Sequence, residues 1–223
     1  MRPIKGETQE GMISRRTLCI GITGGVGSGK SSVLGYLTDS TDCRSLVSDD
    51  EAKKLYVPGS SVFDRIIETA GDDVLAADGA IDKKAFALKL FNDSSLRERI
   101  NEIVHPAVRD IISDTMQYEI SSGRHDYLFI EAALLIENGY EEVLDELWYI
   151  YASEETRRKR LKESRGYSDE KITAIFASQL SEEEYRKHCD RVIDNDGSTE
   201  RMRASVDAAL RAVREQTYKH ERL

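Results

Sequence analysis

The chain has 223 residues, enough to bury the core of one domain, with or without an inserted lobe. Its 32 lysines and arginines face 41 aspartates and glutamates, and the net charge of −9 argues against nucleic-acid binding, which needs a basic face. No apolar run approaches the ~18 residues of a membrane helix. Three widely spaced cysteines without a C-x-x-C pair indicate free thiols in a reducing compartment, so we expect a cytoplasmic protein.

Both chain ends are polar and lack periodicity. We therefore expect residues 1–16 to be a flexible leader, with Met12 as an alternative native start, and residues 217–223 to be a frayed tail.

The chain then begins as an alternation of strands and helices. A β-branched apolar run bounded by glycines is typical of a buried parallel strand. The predicted elements are, in order, a strand at residues 17–23, a helix at 31–37, a strand at 44–48 and a helix at 50–56. Pro58-Gly59 ends this part.

Residues 60–123 have apolar side chains at helical spacing and no strand signal, which predicts an inserted helical lobe of four helices. His105-Pro106 is expected to open the last of these helices.

Strand and helix patterns alternate again from residue 124. The predicted elements are strands at 127–130, 147–152 and 192–193 and helices at 154–162, 169–177, 182–188 and 199–215. Residues 17–59 and 124–216 therefore form the predicted core, an α/β fold of three layers around a parallel sheet with right-handed crossovers.

The segment Gly24-Gly25-Val26-Gly27-Ser28-Gly29-Lys30-Ser31 matches the phosphate loop G-x-x-x-x-G-K-[ST]. Its glycines allow backbone N–H groups to point at phosphates, the lysine carries charge for the β- and γ-phosphates, and the serine hydroxyl is a Mg²⁺ ligand. The preceding strand and following helix are both readable, so the sequence predicts a P-loop phosphotransferase that binds ATP and Mg²⁺. The N-K-x-D base reader of a GTPase is missing. The predicted nucleotide-binding residues of the loop are Gly25, Val26, Gly27, Ser28, Gly29, Lys30, Ser31 and Ser32.

Acidic residues follow two of the predicted strands, and ligands of α/β sheets lie outside the carboxyl ends of the strands. Asp49 or Asp50 is therefore a candidate to take a proton from an acceptor or to help hold Mg²⁺; the alternative is an N-cap aspartate for the next helix. Glu131 is a candidate Mg²⁺ acid, and the alternative is a solvent-exposed carboxylate at a strand end.

Six cations lie between residues 157 and 165, a cluster that can close over ATP phosphates as a lid at residues 154–180. The alternative is a solvated helix face that pairs with nearby glutamates. Because the cations cannot share one face, we expect only one or two to be functional, with Arg160 and Arg165 the first choices.

An ordered set of motifs resembles the dephospho-coenzyme A kinase family over most of the chain. The matching motifs are I-T-G-G-x-G-S-G-K-S at residues 22–31, the acid with x-x-A-[RK] at 49–53, Pro58-Gly59, His105-Pro106, L-L-x-E at 134–137, Ser178-Gln179 and D-x-V-I-D-N-x-G at 190–197.

The resemblance implies a nucleotide-kinase-like P-loop fold and transfer of the ATP γ-phosphate to the ribose 3′-hydroxyl of dephospho-CoA. It makes Asp49 and Lys30 the catalytic residues and the helical lobe the CoA site, with no protein partner required. For His105 we favour a cap or packing role at a helix start over an acceptor contact. A nucleoside monophosphate-type or other small-molecule kinase is the alternative, and a regulatory P-loop protein is a more distant one.

Overall fold

The computed structural model describes residues 16–220, with side chains described to residue 216. The predicted leader at 1–16 therefore lies outside the described residues except for Arg16, whose guanidinium pairs with Asp145 at 2.9 Å. Within the described part no helix is long and apolar enough to cross a membrane. The cysteines Cys19, Cys43 and Cys189 are free thiols.

Five parallel strands form one sheet in the order β2-β3-β1-β4-β5. The strands are β1 (Leu18–Thr23), β2 (Cys43–Val47), β3 (Tyr127–Glu131), β4 (Glu146–Tyr151) and β5 (Arg191–Asp194). The helices are α1 (Lys30–Ser40), α2 (Ser48–Leu55), α3 (Phe63–Ala70), α4 (Lys83–Asn92), α5 (Ser94–Ser122), α6 (Glu154–Arg165), α7 (Asp169–Ala177), α8 (Glu182–His188) and α9 (Thr199–His220). The prediction of a three-layer α/β fold is confirmed.

Alternate side chains of the strands point to opposite faces of the sheet and fill two separate cores. In β3, Tyr127 and Phe129 face the core covered by α1 and α9, whereas Leu128 and Ile130 face the core covered by α5. This two-sided burial explains why the central strands β1, β3 and β4 are largely apolar in the sequence.

Helix α5 runs without a break through Pro106, so the prediction that His105-Pro106 opens a new helix is wrong. Proline removes the N–H that would bond the carbonyl of Glu102, but Glu102 and Pro106 both lie on the exposed face, where water can satisfy that carbonyl. The opposite face of the helix is buried on both sides of the proline, and this packing outweighs the local preference to stop.

The two halves of α5 belong to different cores. Ile100 and Val104 pack in the core of the helical segment with α3 and α4, and Ile112 and Met116 pack against the sheet. One continuous helix therefore fixes the orientation of the helical segment relative to the sheet.

Most predicted boundaries agree with the structure to within two residues, except at α1, α6 and α9, which extend three to five residues beyond their predicted ends. Three of the last four helices begin at a serine whose hydroxyl accepts from a backbone N–H of the first turn, at Ser153, Ser168 and Ser181. Helix α9 continues to His220, so residues 217–220 of the predicted tail are helical.

Candidate active site

The carboxyl ends of three neighbouring strands bring the predicted acids to the phosphate loop. Glu131, the last residue of β3, is paired in register with Ile22 of β1 and with Val47 of β2. The phosphate loop follows β1 and α2 follows β2, so the residues that come after both strands meet beside Glu131.

Gly29 ends the phosphate loop and caps the N-terminus of α1 in the left-handed region, with φ of 89°. A Cβ at this position would lie 2.2 Å from Nδ2 of Asn195, so both backbone angle and space require glycine. No side chain caps α1 in the described chain, which leaves N–H groups of its first turn available to an anion.

Lys30 lies at the start of α1 and its Nζ donates to the Gly24 carbonyl at 2.9 Å. Burial lowers the pKa of Lys30, and the charges of Glu131 and Asp49 act in the opposite direction. The lysine therefore lies within electrostatic reach of both predicted acids, which are the two groups that sequence analysis associated with Mg²⁺ and the acceptor.

Glu131 is partly buried at the end of β3, and the Ser31 hydroxyl lies close enough to its carboxylate to act on its pKa. Burial raises the pKa of Glu131, the charges of Asp49 and Asp50 raise it further, and Lys30 acts against them. Ser31 and Glu131 thus place two oxygen-bearing side chains beside the phosphate loop, and oxygen is the donor type that Mg²⁺ prefers. The alternative of a solvated strand-end carboxylate does not describe Glu131.

Asp49 and Asp50 lie in the first turn of α2, which begins at Ser48, two residues earlier than an Asp49 cap would require. The N-cap residue is Val47 and no side chain caps the helix, so the N-cap interpretation of the aspartates is wrong. The Asp50 carboxylate is 59% exposed and pairs with Lys53 at 2.7 Å, whereas Asp49 lines a cavity. The two aspartates, equivalent in the sequence, therefore face different surroundings.

The cavity beside Asp49, which we call the acceptor cavity, has a volume of about 290 Å³. Its walls come from α2, from the middle of α5 and from the segment that follows β3, and they include Tyr56, His105, Arg109 and Tyr140. His105 is exposed in mid-helix, so the expectation that it caps or packs at a helix start is wrong, and its side chain shares a cavity with Asp49.

Arg157 of α6 holds the phosphate loop together with Gln179. Its Nε donates to the Val26 carbonyl at 2.9 Å, and its guanidinium donates to Oε1 of Gln179 at 2.5 Å. The same Gln179 oxygen accepts from the Val26 N–H at 3.2 Å, and the guanidinium stacks 4.2 Å from the centre of the Phe176 ring. Both backbone polar groups of Val26 are thus fixed by the helices that follow β4.

Arg160 and Asn195 hold the next part of the loop. Arg160 donates to the Ser28 carbonyl at 3.1 Å and to the Asn195 carbonyl at 2.8 Å, and Asn195 Nδ2 donates to the Ser28 carbonyl at 2.6 Å. Both residues line a second cavity of about 440 Å³, with Ser32 and Tyr36. This cavity, which we call the nucleoside cavity, lies on the α1 side of the loop.

The remaining cations of the cluster separate into two groups. Arg158 and Lys162 pair with Asp169 at 3.1 and 2.8 Å and form the solvated face that was the alternative interpretation. Arg165 is the last residue of α6, is exposed, and lies 5.9 Å from the Tyr167 ring centre. The charge of Arg165 contributes to the lowered pKa of Lys30, so Arg165 lies within electrostatic range of this lysine.

Sequence analysis missed Arg157 and Asn195 as parts of the site and did not assign a role to Gln179. A sequence signal for Asn195 and Gln179 was present, because both residues fall inside motifs that carried the family resemblance. Arg157 had no such signal, since six cations in nine residues differ only in which side of α6 each one takes.

This geometry defines the class of protein. The protein has a parallel sheet, a P-loop with its lysine, and acids at the carboxyl ends of the neighbouring strands. These features make it a P-loop kinase-like α/β protein. The sequence model of the family described as dephospho-CoA kinase matches residues 18–201. The chain belongs to the dephospho-CoA kinase family, whose members are ATP-dependent transferases.

Individual relatives agree with this membership. The chain is 36% identical over 194 residues to the dephospho-CoA kinase of Symbiobacterium thermophilum, covering 87% of this chain and 80% of that protein. It is 35% identical over 188 residues to that of Geobacter sulfurreducens, covering 84% and 94%.

Solved structures show the same fold. TT1252 from Thermus thermophilus superposes with a TM-score of 0.70 at 30% identity, covering 88% of this chain and 98% of that one. The dephospho-CoA kinase from Campylobacter jejuni gives a TM-score of 0.67 at 22% identity, covering 89% and 98%.

Proposed function

We propose that this chain transfers the γ-phosphoryl group of ATP to the ribose 3′-hydroxyl of dephospho-CoA, with Asp49 and Lys30 as the catalytic residues. One observation carries the proposal. Asp49 lines the acceptor cavity and is close enough to Lys30 for its charge to act on the lysine's pKa. A hydroxyl held in that cavity would therefore lie between the Asp49 carboxylate and a phosphate bound by Lys30.

The phosphate loop and the nucleoside cavity support ATP as the donor. Residues 25–32 supply backbone N–H groups and the Lys30 charge to the phosphates. The nucleoside end of ATP would occupy the cavity formed by Tyr36, Arg160 and Asn195, which begins at Gly29. Arg160 then has two roles, since it also fixes the loop carbonyl of Ser28.

The transfer step asks mainly for positioning and charge neutralisation. Asp49 would orient the 3′-hydroxyl and accept its proton as the hydroxyl oxygen attacks the γ-phosphorus and the bond to the ADP oxygen breaks. Lys30 would neutralise charge on the transferred group. Arg165, exposed at the end of α6, would approach that group when the segment 154–180 closes over it as a lid.

Mg²⁺ fits the donor set beside the phosphate loop, where Ser31 and Glu131 lie near each other and both offer oxygen. A bound Mg²⁺ would neutralise phosphate charge and help align the β- and γ-phosphates. We propose Ser31 as a direct ligand and Glu131 as a residue that holds the ion directly or through water. The proposal includes no nucleic-acid, membrane or obligatory protein partner, and it assigns the reaction to the cytoplasm.

An acceptor panel tests the proposed function. The protein is incubated with Mg-ATP and, separately, dephospho-CoA, AMP, adenosine or shikimate, while ATP consumption and product mass are measured. We expect dephospho-CoA to be phosphorylated with a kcat/KM far above the others, and ATP to be stable without an acceptor. A higher kcat/KM for AMP or another small acceptor would contradict the proposal and support the alternative kinase.

The Mg²⁺ assignment has its own test. Ser31→Ala and Glu131→Gln should raise the Mg²⁺ concentration required for half-maximal rate, by roughly tenfold for loss of one ligand or its support. Ser40→Ala, at the exposed C-terminal end of α1 and away from both cavities, is the matched control. An unchanged Mg²⁺ requirement in both variants would remove these residues from the metal site.

A further inference from the structure

A second opening adjoins the acceptor cavity. It is a groove of about 450 Å³ between the C-terminal half of α5 and the segment 138–143, and we call it the arm groove. Arg109, Asn138 and Tyr140 line both spaces. The two therefore share one wall, and a long ligand can extend from Asp49 past these three side chains into the groove.

We propose that Arg109 binds the diphosphate of the acceptor and that the arm groove holds its pantetheine arm. The inference rests on the proposed function and specifies residues for it. Dephospho-CoA consists of an adenosine joined through a diphosphate to pantetheine. With the adenosine in the acceptor cavity, the anionic junction would fall where the two cavities meet.

Charge supports Arg109 for this role. Among the described residues that line either cavity, it is the one arginine or lysine. Its guanidinium donates to Oδ1 of Asn138 at 3.4 Å and lies close enough to the Tyr140 hydroxyl to act on its pKa, and neither group is a carboxylate. The planar guanidinium keeps N–H groups for two phosphate oxygens, and no ion pair with a side chain of residues 16–216 already neutralises its positive charge.

The shape of the groove supports an extended occupant. Arg109, Ser113, Met116 and Ile120 follow one another at helical spacing along one side of α5. From residue 109 to residue 120 the helix rises about 16 Å, at 1.5 Å per residue. The groove therefore leads away from Asp49 along α5, and an extended ligand can bind along its whole length.

The groove combines apolar and amide-binding side chains. Ile120 and Val143 are 36% and 60% exposed, an unusual amount of apolar surface for side chains that line a groove. Ser113 and Gln117 line the same groove and offer hydrogen bonds. Pantetheine has the matching chemistry, with a dimethyl-substituted carbon and two amides on one chain.

The test uses 4′-phosphopantetheine, the part of dephospho-CoA that remains without the adenosine and one of the two phosphates. Its binding is measured by calorimetry and by inhibition of dephospho-CoA phosphorylation. We expect competition with dephospho-CoA in the unmodified protein. Arg109→Gln and Val143→Asp should each weaken phosphopantetheine binding by roughly 10-fold or more, because one removes charge-assisted hydrogen bonds and the other places a carboxylate against the arm. Arg109→Lys should recover part of the loss.

Arg99→Gln is the matched control, since Arg99 is an exposed arginine of the same helix that lines neither cavity. Thermal melting of each variant separates weak binding from misfolding. Phosphopantetheine binding unchanged in Arg109→Gln, or absent in the unmodified protein, would overturn the inference. A failure of the proposed function is distinguishable, because the unmodified protein would then not phosphorylate dephospho-CoA at all.

Discussion

Two clusters of partly buried charge lie at opposite ends of the same strands. At the carboxyl ends, burial raises the pKa of Glu131 and lowers that of Lys30. At the amino ends, Glu119 accepts hydrogen bonds from Arg44 at 2.9 Å and from His125 at 2.8 Å. Burial alone would raise the pKa of Glu119, but these hydrogen bonds outweigh it and lower the pKa.

The direction of the shift distinguishes a functional cluster from a structural one. The protein stabilises the charged form of Glu119, which therefore favours folding. It disfavours the charged forms of Glu131 and Lys30, so folding is less favourable with both groups ionised. Phosphates and Mg²⁺ would supply further counter-charge to these two groups, as is typical of a site that binds charged ligands.

The largest effect should come from Lys30→Ala. Removing the fixed charge next to the γ-phosphate should lower kcat/KM for ATP by at least ~10²-fold, comparable to the loss of one transition-state donor. Because burial of the charged Lys30 side chain carries a desolvation cost, its removal should leave the melting temperature unchanged or raise it. The exposed Lys84 on α4 provides the control Lys84→Ala. Near-normal turnover in folded Lys30→Ala would exclude the phosphate loop from the mechanism.

An intermediate effect is expected for Asn195→Ala. The Ser28 carbonyl would lose its buried hydrogen bond from Nδ2 and keep only that from Arg160. A lost buried hydrogen bond of about 1–2 kcal/mol corresponds to a KM for ATP roughly tenfold higher. Asn92→Ala, at the exposed end of α4, is the control. If KM for ATP is unchanged, the contacts of Asn195 do not shape the loop.

The smallest effect on activity should come from Glu119→Gln, at the amino ends of the strands. It should lower the free energy of unfolding at neutral pH by about 2 kcal/mol, the contribution of hydrogen bonds to a charged group, with kcat within twofold. Because the folded pKa lies below the ordinary value of 4.5, the difference should be full above pH 4.5 and should shrink progressively as pH falls from 4.5 through the folded pKa. Denaturant titrations at pH 7 and pH 3.5 measure both.

The course of the chain through the sheet could be predicted because it depends on local patterns. Each buried strand is an apolar run, and the phosphate loop lies between β1 and α1 as the motif requires. The break predicted at His105 was wrong because the cost of a proline is local, whereas the burial of Ile100 and Ile112 that outweighs it depends on two different cores.

The partners of the loop could not be chosen from the sequence for a similar reason. Arg157 and Arg158 are neighbours, yet one contacts Val26 and the other pairs with Asp169. Which of two adjacent arginines faces the loop depends on the rotation of α6 against the sheet, and composition does not encode that rotation. The choice between Asp49 and Asp50 depends in the same way on the rotation of α2.

That choice provides the most direct test of the account. Single-turnover phosphorylation of dephospho-CoA is measured at saturating Mg-ATP for Asp49→Asn and, as the matched control, for Asp50→Asn. If Asp49 accepts the proton of the acceptor hydroxyl, Asp49→Asn should reduce the rate by roughly 10²–10⁴-fold, with little change in substrate binding, and Asp50→Asn should stay within a few-fold of the unmodified protein. The reverse result, a severe loss in Asp50→Asn and a near-normal rate in Asp49→Asn, would contradict the account.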